Sequence, residues 1–206
     1  MIVDKISAEI IAHRNTSKLT IVSICGAADL GKSYLSKNIS KELNNKNLKV
    51  NHLTMDSYLM DRKIRTEKGL SGYNIEAYNL AESFKDLTNL KNGESIDFYP
   101  YDHKTGKKSL NSVKIDSSDI LIFDGLHSMH SSFIPHIDIT FFLYTNDDFL
   151  KKIRVEADLK KRNYTTEFSK SISENEFYLY KTKVEPYKKN ADYILYLKEK
   201  WNYQLK

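Results

Sequence analysis

Gly26-Ala27-Ala28-Asp29-Leu30-Gly31-Lys32-Ser33 is the stretch on which the fold of this 206-residue chain turns. It fits the spacing G-x-x-x-x-G-K-[ST], and each fixed position has a physical reason. The glycines let the backbone wrap round a polyphosphate so that its N–H groups point inward. Lys32 is placed to reach the β- and γ-phosphates of a nucleotide as a point charge, and the Ser33 hydroxyl to ligate Mg²⁺. All eight residues, 26–33, are therefore candidate ATP contacts. The alternative is an ordinary strand–turn–helix with an incidental lysine. Context favours the phosphate loop: Leu19–Cys25 reads as a buried strand before it, and Leu35, Ile39 and Leu43 mark one face of a helix from about Gly31.

Working outward, short apolar runs alternate with helical patterns, the mark of an α/β domain with a mainly parallel sheet. Ile2, Ile6 and Ile10 recur at helical spacing, so residues 1–14 read as an amphipathic helix rather than a signal segment. Lys49–Met55 is a second strand, followed by an irregular stretch to Gly72. Ala77, Leu80, Ala81, Phe84, Leu87 and Leu90 form the next stripe, closed by Asn92-Gly93. Tyr99-Pro100-Tyr101 and a turn at Thr105-Gly106 predict a small β-hairpin flap between Ile96 and Ile115. Ile120–Phe123 and Ile137–Tyr144 are buried strands. A basic helix over Asp147–Arg162 comes next, then one carrying Phe177, Tyr180, Val184 and Tyr187, and a last strand Ala191–Leu195. The expectation is one P-loop NTPase domain over 1–206, its sheet flanked by helices.

Composition narrows the partners. Thirty-two basic against 27 acidic residues, net +5, suits phosphorylated small molecules but is too thin and dispersed to argue for nucleic acid. Cys25 is the sole cysteine, which rules out an internal disulfide or thiolate metal site and fits a reducing cytoplasm. No apolar run reaches the length of a membrane span. The six histidines show no metal-ligand spacing, and His127 and His130 either face an acceptor or pack. A homo-oligomer is left open.

Two carboxylates follow strands, where ligands of open α/β sheets bind. Asp56, after the second strand, is the candidate general base that orients an acceptor hydroxyl and takes its proton; Asp124, in Ile120-Leu121-Ile122-Phe123-Asp124-Gly125, is the candidate on the metal side with Ser33. Each could instead cap the next element. Arg154, Asp158 and Arg162 stand at i, i+4 and i+8, so both arginines could close over a transferring phosphoryl group, with residues 160–173 as a mobile lid. The other reading is a solvated basic face, shared with Lys151, Lys152, Lys160 and Lys161.

Assembled in order, these pieces resemble the uridine kinase and phosphoribulokinase family of P-loop kinases over nearly the whole chain. The resemblance rests on Met55-Asp56-Ser57-Tyr58, Tyr73-Asn74-Ile75-Glu76-Ala77-Tyr78, Tyr99-Pro100-Tyr101-Asp102, Ile122-Phe123-Asp124-Gly125, the Arg154…Asp158…Arg162 helix, and Val184-Glu185-Pro186-Tyr187-Lys188 with Ala191-Asp192. It implies a five-stranded parallel sheet with a flexible lid, ATP and Mg²⁺ as cosubstrates, and Asp56 as catalytic base. It also implies that Tyr58, Asn74 and Tyr101 contact the acceptor and that Lys188 lies on the adenine side. The chain departs from the uridine kinase pattern where Asn74 replaces an aspartate, where His103 and Gly106 stand in for an aromatic and a histidine, and where Ala157 replaces an arginine. At Asp124 the usual residue is glutamate. The expected activity is transfer of the ATP γ-phosphoryl group to a small-molecule hydroxyl. A uridine/cytidine kinase is the first expectation; a phosphoribulokinase-like kinase of a sugar or sugar phosphate, or a nucleotide-binding regulator without turnover, is the alternative.

Overall fold

A strand with neighbours on both edges and helices over both faces has no polar side, and β1 (Thr20–Gly26) is buried at every residue. The computed structural model describes residues 2–206. On one edge β1 pairs in parallel with β7 (Ile120–Gly125), and β7 with β2 (Val50–Thr54). On the other it pairs with β8 (Ile139–Tyr144), which is followed by β9 (Tyr193–Glu199). The hairpin partner β10 (Asn202–Leu205) adds an antiparallel edge, so the order is β10-β9-β8-β1-β7-β2. The sheet thus has six strands rather than five.

Alternation along the central strands divides the core between two faces. Val22, Ile24, Ile120 and Ile122 pack under α1 (Ile2–His13) and α2 (Lys32–Asn44), with Ile6, Ile10, Leu35, Ile39 and Leu43 fully buried. Ile21, Leu121 and Phe123 face the opposite way, toward α4 (Leu80–Lys91). In α4 the buried face is Ser83, Leu87 and Leu90; Phe84 and Ala81 are exposed, so the expected stripe is rotated by about one position.

Register then places the candidate chemistry. Ile24 and Thr54 both pair with Asp124, so the loop after Gly26, the end of β7 and the turn after β2 lie side by side. That turn is a single 3₁₀ turn, Met55–Tyr58, and it carries Asp56.

Three segments differ from the sequence expectation. The stretch before Gly72 contains α3 (Arg62–Glu67), which has no buried residue and hence no apolar periodicity. The flap, by contrast, is present as expected, built of two short antiparallel pairings, β3 (Ile96–Phe98) with β6 (Val113–Ile115) and β4 (Tyr101–Asp102) with β5 (Lys107–Lys108). After α5 (Asp147–Lys161), the polar stretch read as a mobile lid is helical from Thr166: α6 (Thr166–Leu179) starts under Thr165, whose Oγ1 accepts from Phe168 N at 3.2 Å. The expected single helix through Tyr187 instead ends at Leu179, passes into a π turn at Tyr180–Val184, and finishes as a 3₁₀ segment at Glu185–Asn190. No helix among the described residues is long and apolar enough to cross a membrane.

His127, in the turn after β7, is a packing residue. Its Nε2–H donates to Tyr73 O at 3.0 Å and its Nδ1 accepts from the Tyr187 hydroxyl at 3.2 Å. Burial holds its pKa down to about 4. An imidazole with a folded pKa below its unfolded one binds fewer protons when folded, so stability is full above about pH 6.5 and falls as pH drops toward 4. Urea titrations should show a loss approaching ~3 kcal/mol across that window. His127→Gln should flatten it; an unchanged slope in that variant would assign the acid loss to the carboxylates alone.

Candidate active site

The phosphate loop bends because two residues accept backbone conformations a side chain would resist. Gly26 has φ 139°, and a Cβ there would sit 2.1 Å from Leu143 O; Gly31 has φ 84°, and a Cβ there would meet the Trp201 ring at 2.3 Å. Ala27 and Leu30 are buried and anchor the loop, while Ala28, Asp29, Gly31, Lys32 and Ser33 line a cavity of about 540 Å³. Lys32 Nζ donates to Gly26 O (3.1 Å) and Ala27 O (2.8 Å), so its charge stays at the loop, with no carboxylate partner among the described residues.

Asp56 opens into the same cavity. The cap of its turn is Thr54, whose Oγ1 accepts from Asp56 N, leaving the Asp56 carboxylate for other work. His103 Nε2–H donates to Asp56 Oδ2 at 2.9 Å. Burial would push this carboxyl up, but the His103 hydrogen bond and the charges of His103, Lys32 and Arg162 outweigh it and hold the pKa below the usual range. His103 is thus a partner of the proposed base, presented by the flap, with Tyr101 edge-on to its ring at 5.2 Å.

Asp124 is buried, with His52 Nε2 3.3 Å and Ser36 Oγ 3.4 Å from its Oδ2, while its Oδ1 has no hydrogen-bond partner. Burial works against its charge; the adjacent His52, with Lys32, prevails and lowers the pKa. An ionised carboxylate with one orphaned oxygen beside a phosphate loop fits a hydrated Mg²⁺, and Ser33 lies on the same cavity wall. Among the described residues no cluster of three or more His, Cys, Asp or Glu could hold a metal by itself, so phosphate oxygens and water would complete the shell.

Arg154 and Arg162 do converge on the phosphate loop. Both lie 3.2 Å from Asp158 Oδ1, and Arg154 also pairs with Glu176 at 3.1 Å. On the loop side, Asp29 Oδ2 is 3.0 Å from Arg162 and 3.8 Å from Arg154, and Lys161 reaches Asp29 Oδ1 at 3.2 Å. Desolvation opposes the Asp29 charge, but Arg162, Arg154 and Lys161 overcome it and lower its pKa. Asp29, expected only to lend its backbone to the phosphates, is therefore a carboxylate clasp on the three cations. Its φ of 65° is tolerable for aspartate or asparagine. A phosphate must compete with this carboxylate for the same donors. Asp29→Asn should accordingly tighten Mg-ATP binding roughly fivefold to tenfold, as removal of one nearby like charge predicts. Weaker binding of the nucleotide by the variant would show that the clasp builds the site rather than competes with it.

Several residues implied by resemblance are spent elsewhere. Tyr58 is buried and its hydroxyl donates to Asp86 Oδ2 at 2.7 Å. Asn74 Oδ1 accepts from Ser71 N at 2.9 Å. The Tyr101 hydroxyl takes a bond from Arg65 at 3.1 Å, and Lys188 Nζ stacks over Tyr144 at 3.3 Å. None of these four side chains lines the cavity, whereas Arg62, Arg65, Tyr73, Tyr164, Glu176 and Trp201 do.

The family model for the phosphoribulokinase / uridine kinase family matches residues 21–200. The chain belongs to that family. It is therefore an ATP-dependent phosphotransferase acting on a hydroxyl group. A chloroplastic phosphoribulokinase from Chlamydomonas reinhardtii is 28% identical over 141 residues, 68% of this chain but 37% of that protein's length. A uridine kinase from Staphylococcus epidermidis is 24% identical over 184 residues, 87% of this chain and 88% of its own. Among solved structures, phosphoribulokinase from Rhodobacter spheroides superposes with a TM-score of 0.70 at 17% identity, covering 90% of this chain and 73% of that one, a likeness of fold. The kinase fold thus accounts for the parallel strands, and the antiparallel β10 places Trp201 and Tyr203 against the phosphate loop, where the Tyr203 hydroxyl donates to Leu30 O at 3.1 Å.

Proposed function

We propose that this kinase moves the γ-phosphoryl group of Mg-ATP onto a hydroxyl of a nucleoside, sugar or sugar phosphate, with Asp56 as general base. The observation that carries the reading is the Asp56–His103 hydrogen bond, which holds an ionised carboxylate in the cavity that Lys32 enters from the phosphate loop. When bound, Mg-ATP supplies the transferable phosphoryl group, with the metal held through Ser33, Asp124 and water. Asp56 orients the acceptor hydroxyl and receives its proton. Lys32, Arg154 and Arg162 supply positive charge where it develops on the phosphoryl oxygens. α5 and the start of α6 exclude water from the cavity.

For a nucleoside acceptor, Tyr58 and Asn74 would have to give up their present protein partners, so uridine does not have a preformed ribose cradle in those side chains. ADP release by a coupled assay, with ATP and Mg²⁺ and a panel of uridine, cytidine, ribose, fructose and their phosphates, tests the reading. Acceptor-dependent release that stops on chelation of Mg²⁺ supports it. Release at the same rate with and without every acceptor would make the chain an ATPase or regulator.

A further inference from the structure

The charges lining the cavity do not balance evenly. On the lid side every cation has an anion: Arg154, Lys161 and Arg162 are shared among Asp29, Asp158 and Glu176. Lys32 is unpaired because its charge is reserved for the nucleotide phosphates. Two further arginines, both on α3, line the cavity and make no ion pair among the described residues. Arg65 donates from Nε to Met60 O at 3.0 Å and from Nη2 to the Tyr101 hydroxyl at 3.1 Å. Arg62 donates to the carbonyl of His103, and its guanidinium lies 5.2 Å from the centre of the Tyr164 ring. Every one of these partners is neutral.

The position of the pair matters as much as its charge. α3 is tied to the flap, through Arg62 N to Gly106 O at 2.7 Å and Lys108 N to Asp61 Oδ1 at 3.1 Å. Arg65 meets Tyr101, Tyr101 is edge-on to His103, and His103 is bonded to Asp56. Arg65 and Asp56 both bear electrostatically on the buried Tyr78 hydroxyl, one lowering and the other raising its pKa. The unpaired guanidinium groups therefore stand on the base's side of the cavity, where the acceptor and not the nucleotide sits. A guanidinium kept partly out of water with only neutral partners forgoes the charge-assisted bonds it makes best, and its planar fork matches a phosphate or carboxylate.

We propose that the acceptor of this kinase carries an anionic group, a phosphate ester or a carboxylate, recognised by Arg65 and Arg62 while its hydroxyl lies at Asp56. This rests on the kinase reading above and narrows it. The anion supplies the missing counter-charge, and a neutral acceptor leaves both guanidiniums unpaired in a filled cavity. That penalty is the ground for discrimination.

The test is equilibrium binding, so that it does not depend on turnover. The protein is saturated with a non-hydrolysable ATP analogue and Mg²⁺, which occupies the phosphate loop, and matched pairs are titrated by calorimetry: ribose and ribose 5-phosphate, fructose and fructose 6-phosphate, glycerol and glycerate. At least one anionic member should bind on the order of 30-fold or more tightly than its neutral twin, and which pair responds separates phosphate from carboxylate. Arg65→Gln should reduce that ratio to within about threefold, Arg65→Lys should restore part of it, and Arg62→Gln should lower it to a lesser degree. The proposal is overturned if no anionic member outbinds its neutral twin, or if the preference survives intact in the Arg65→Gln, Arg62→Gln double variant. ADP release measured on the same pairs separates the two readings. Charge-selective binding without turnover refutes the kinase assignment alone. Turnover of neutral acceptors without charge preference refutes this proposal alone.

Discussion

Lys32→Ala is expected to abolish phosphoryl transfer to within the background of the assay, a loss of at least about 10²–10³-fold, the usual cost of deleting one preorganised donor from a developing anion. In this structure the loss should exceed that of a simple contact. The ammonium is parked on the carbonyls of Gly26 and Ala27, so it is delivered to the phosphate loop before nucleotide arrives and needs no reorganisation. Neither carbonyl is a charge competitor. The stem adds nothing to the core, and the variant should unfold at the temperature of the wild type. Coupled ADP release together with thermal unfolding decides the matter: normal turnover by a folded variant would remove the phosphate-loop assignment.

Asp56→Asn should lower kcat by about 10²–10⁴-fold while leaving ATP affinity near normal, because a general base typically contributes on that order. Asparagine can still accept the His103 hydrogen bond through its Oδ1, so the flap geometry survives the change. What it cannot do is take a proton. Since His103 and the neighbouring cations hold the Asp56 pKa below the ordinary carboxylate range, the base is ionised throughout neutral pH. Any acid limb of kcat/KM assigned to it should lie below about pH 4. Single-turnover rates on an accepted substrate test this: equal rates in wild type and variant would place the base elsewhere.

The phosphate loop, the parallel sheet and the two strand-end carboxylates were legible in the sequence because each is carried by a local rule. Glycines and lysine sit at fixed spacing, strands buried on both faces read as unbroken apolar runs, and the register of three adjacent strands then brings Asp124 and Asp56 beside the loop. What the sequence did not disclose depends on tertiary contact. α3 buries nothing, so Arg62 and Arg65 had no periodic stripe to mark them. β10 is four residues long and follows a turn in which Trp201 takes a φ of 66°, a conformation no pattern announces. Tyr58 and Asn74 were placed by resemblance, and resemblance cannot show that Asp86 and Ser71 have already claimed their polar atoms. The clasp at Asp29 joins residues 132 positions apart, beyond any motif.

The turn between β9 and β10 has an optical consequence. Trp201 is the sole tryptophan of the sequence, its ring lies against Gly31 and 4.5 Å from the Tyr34 ring, and it forms part of the cavity wall. All indole emission from this protein therefore originates at one chromophore touching the glycine that precedes Lys32. None of the fourteen tyrosines in the sequence shares its red-edge excitation. Excited at that edge, the native chain carries its own unlabelled reporter of what enters the phosphate loop, and stopped-flow traces of its intensity follow nucleotide arrival separately from the chemistry at Asp56.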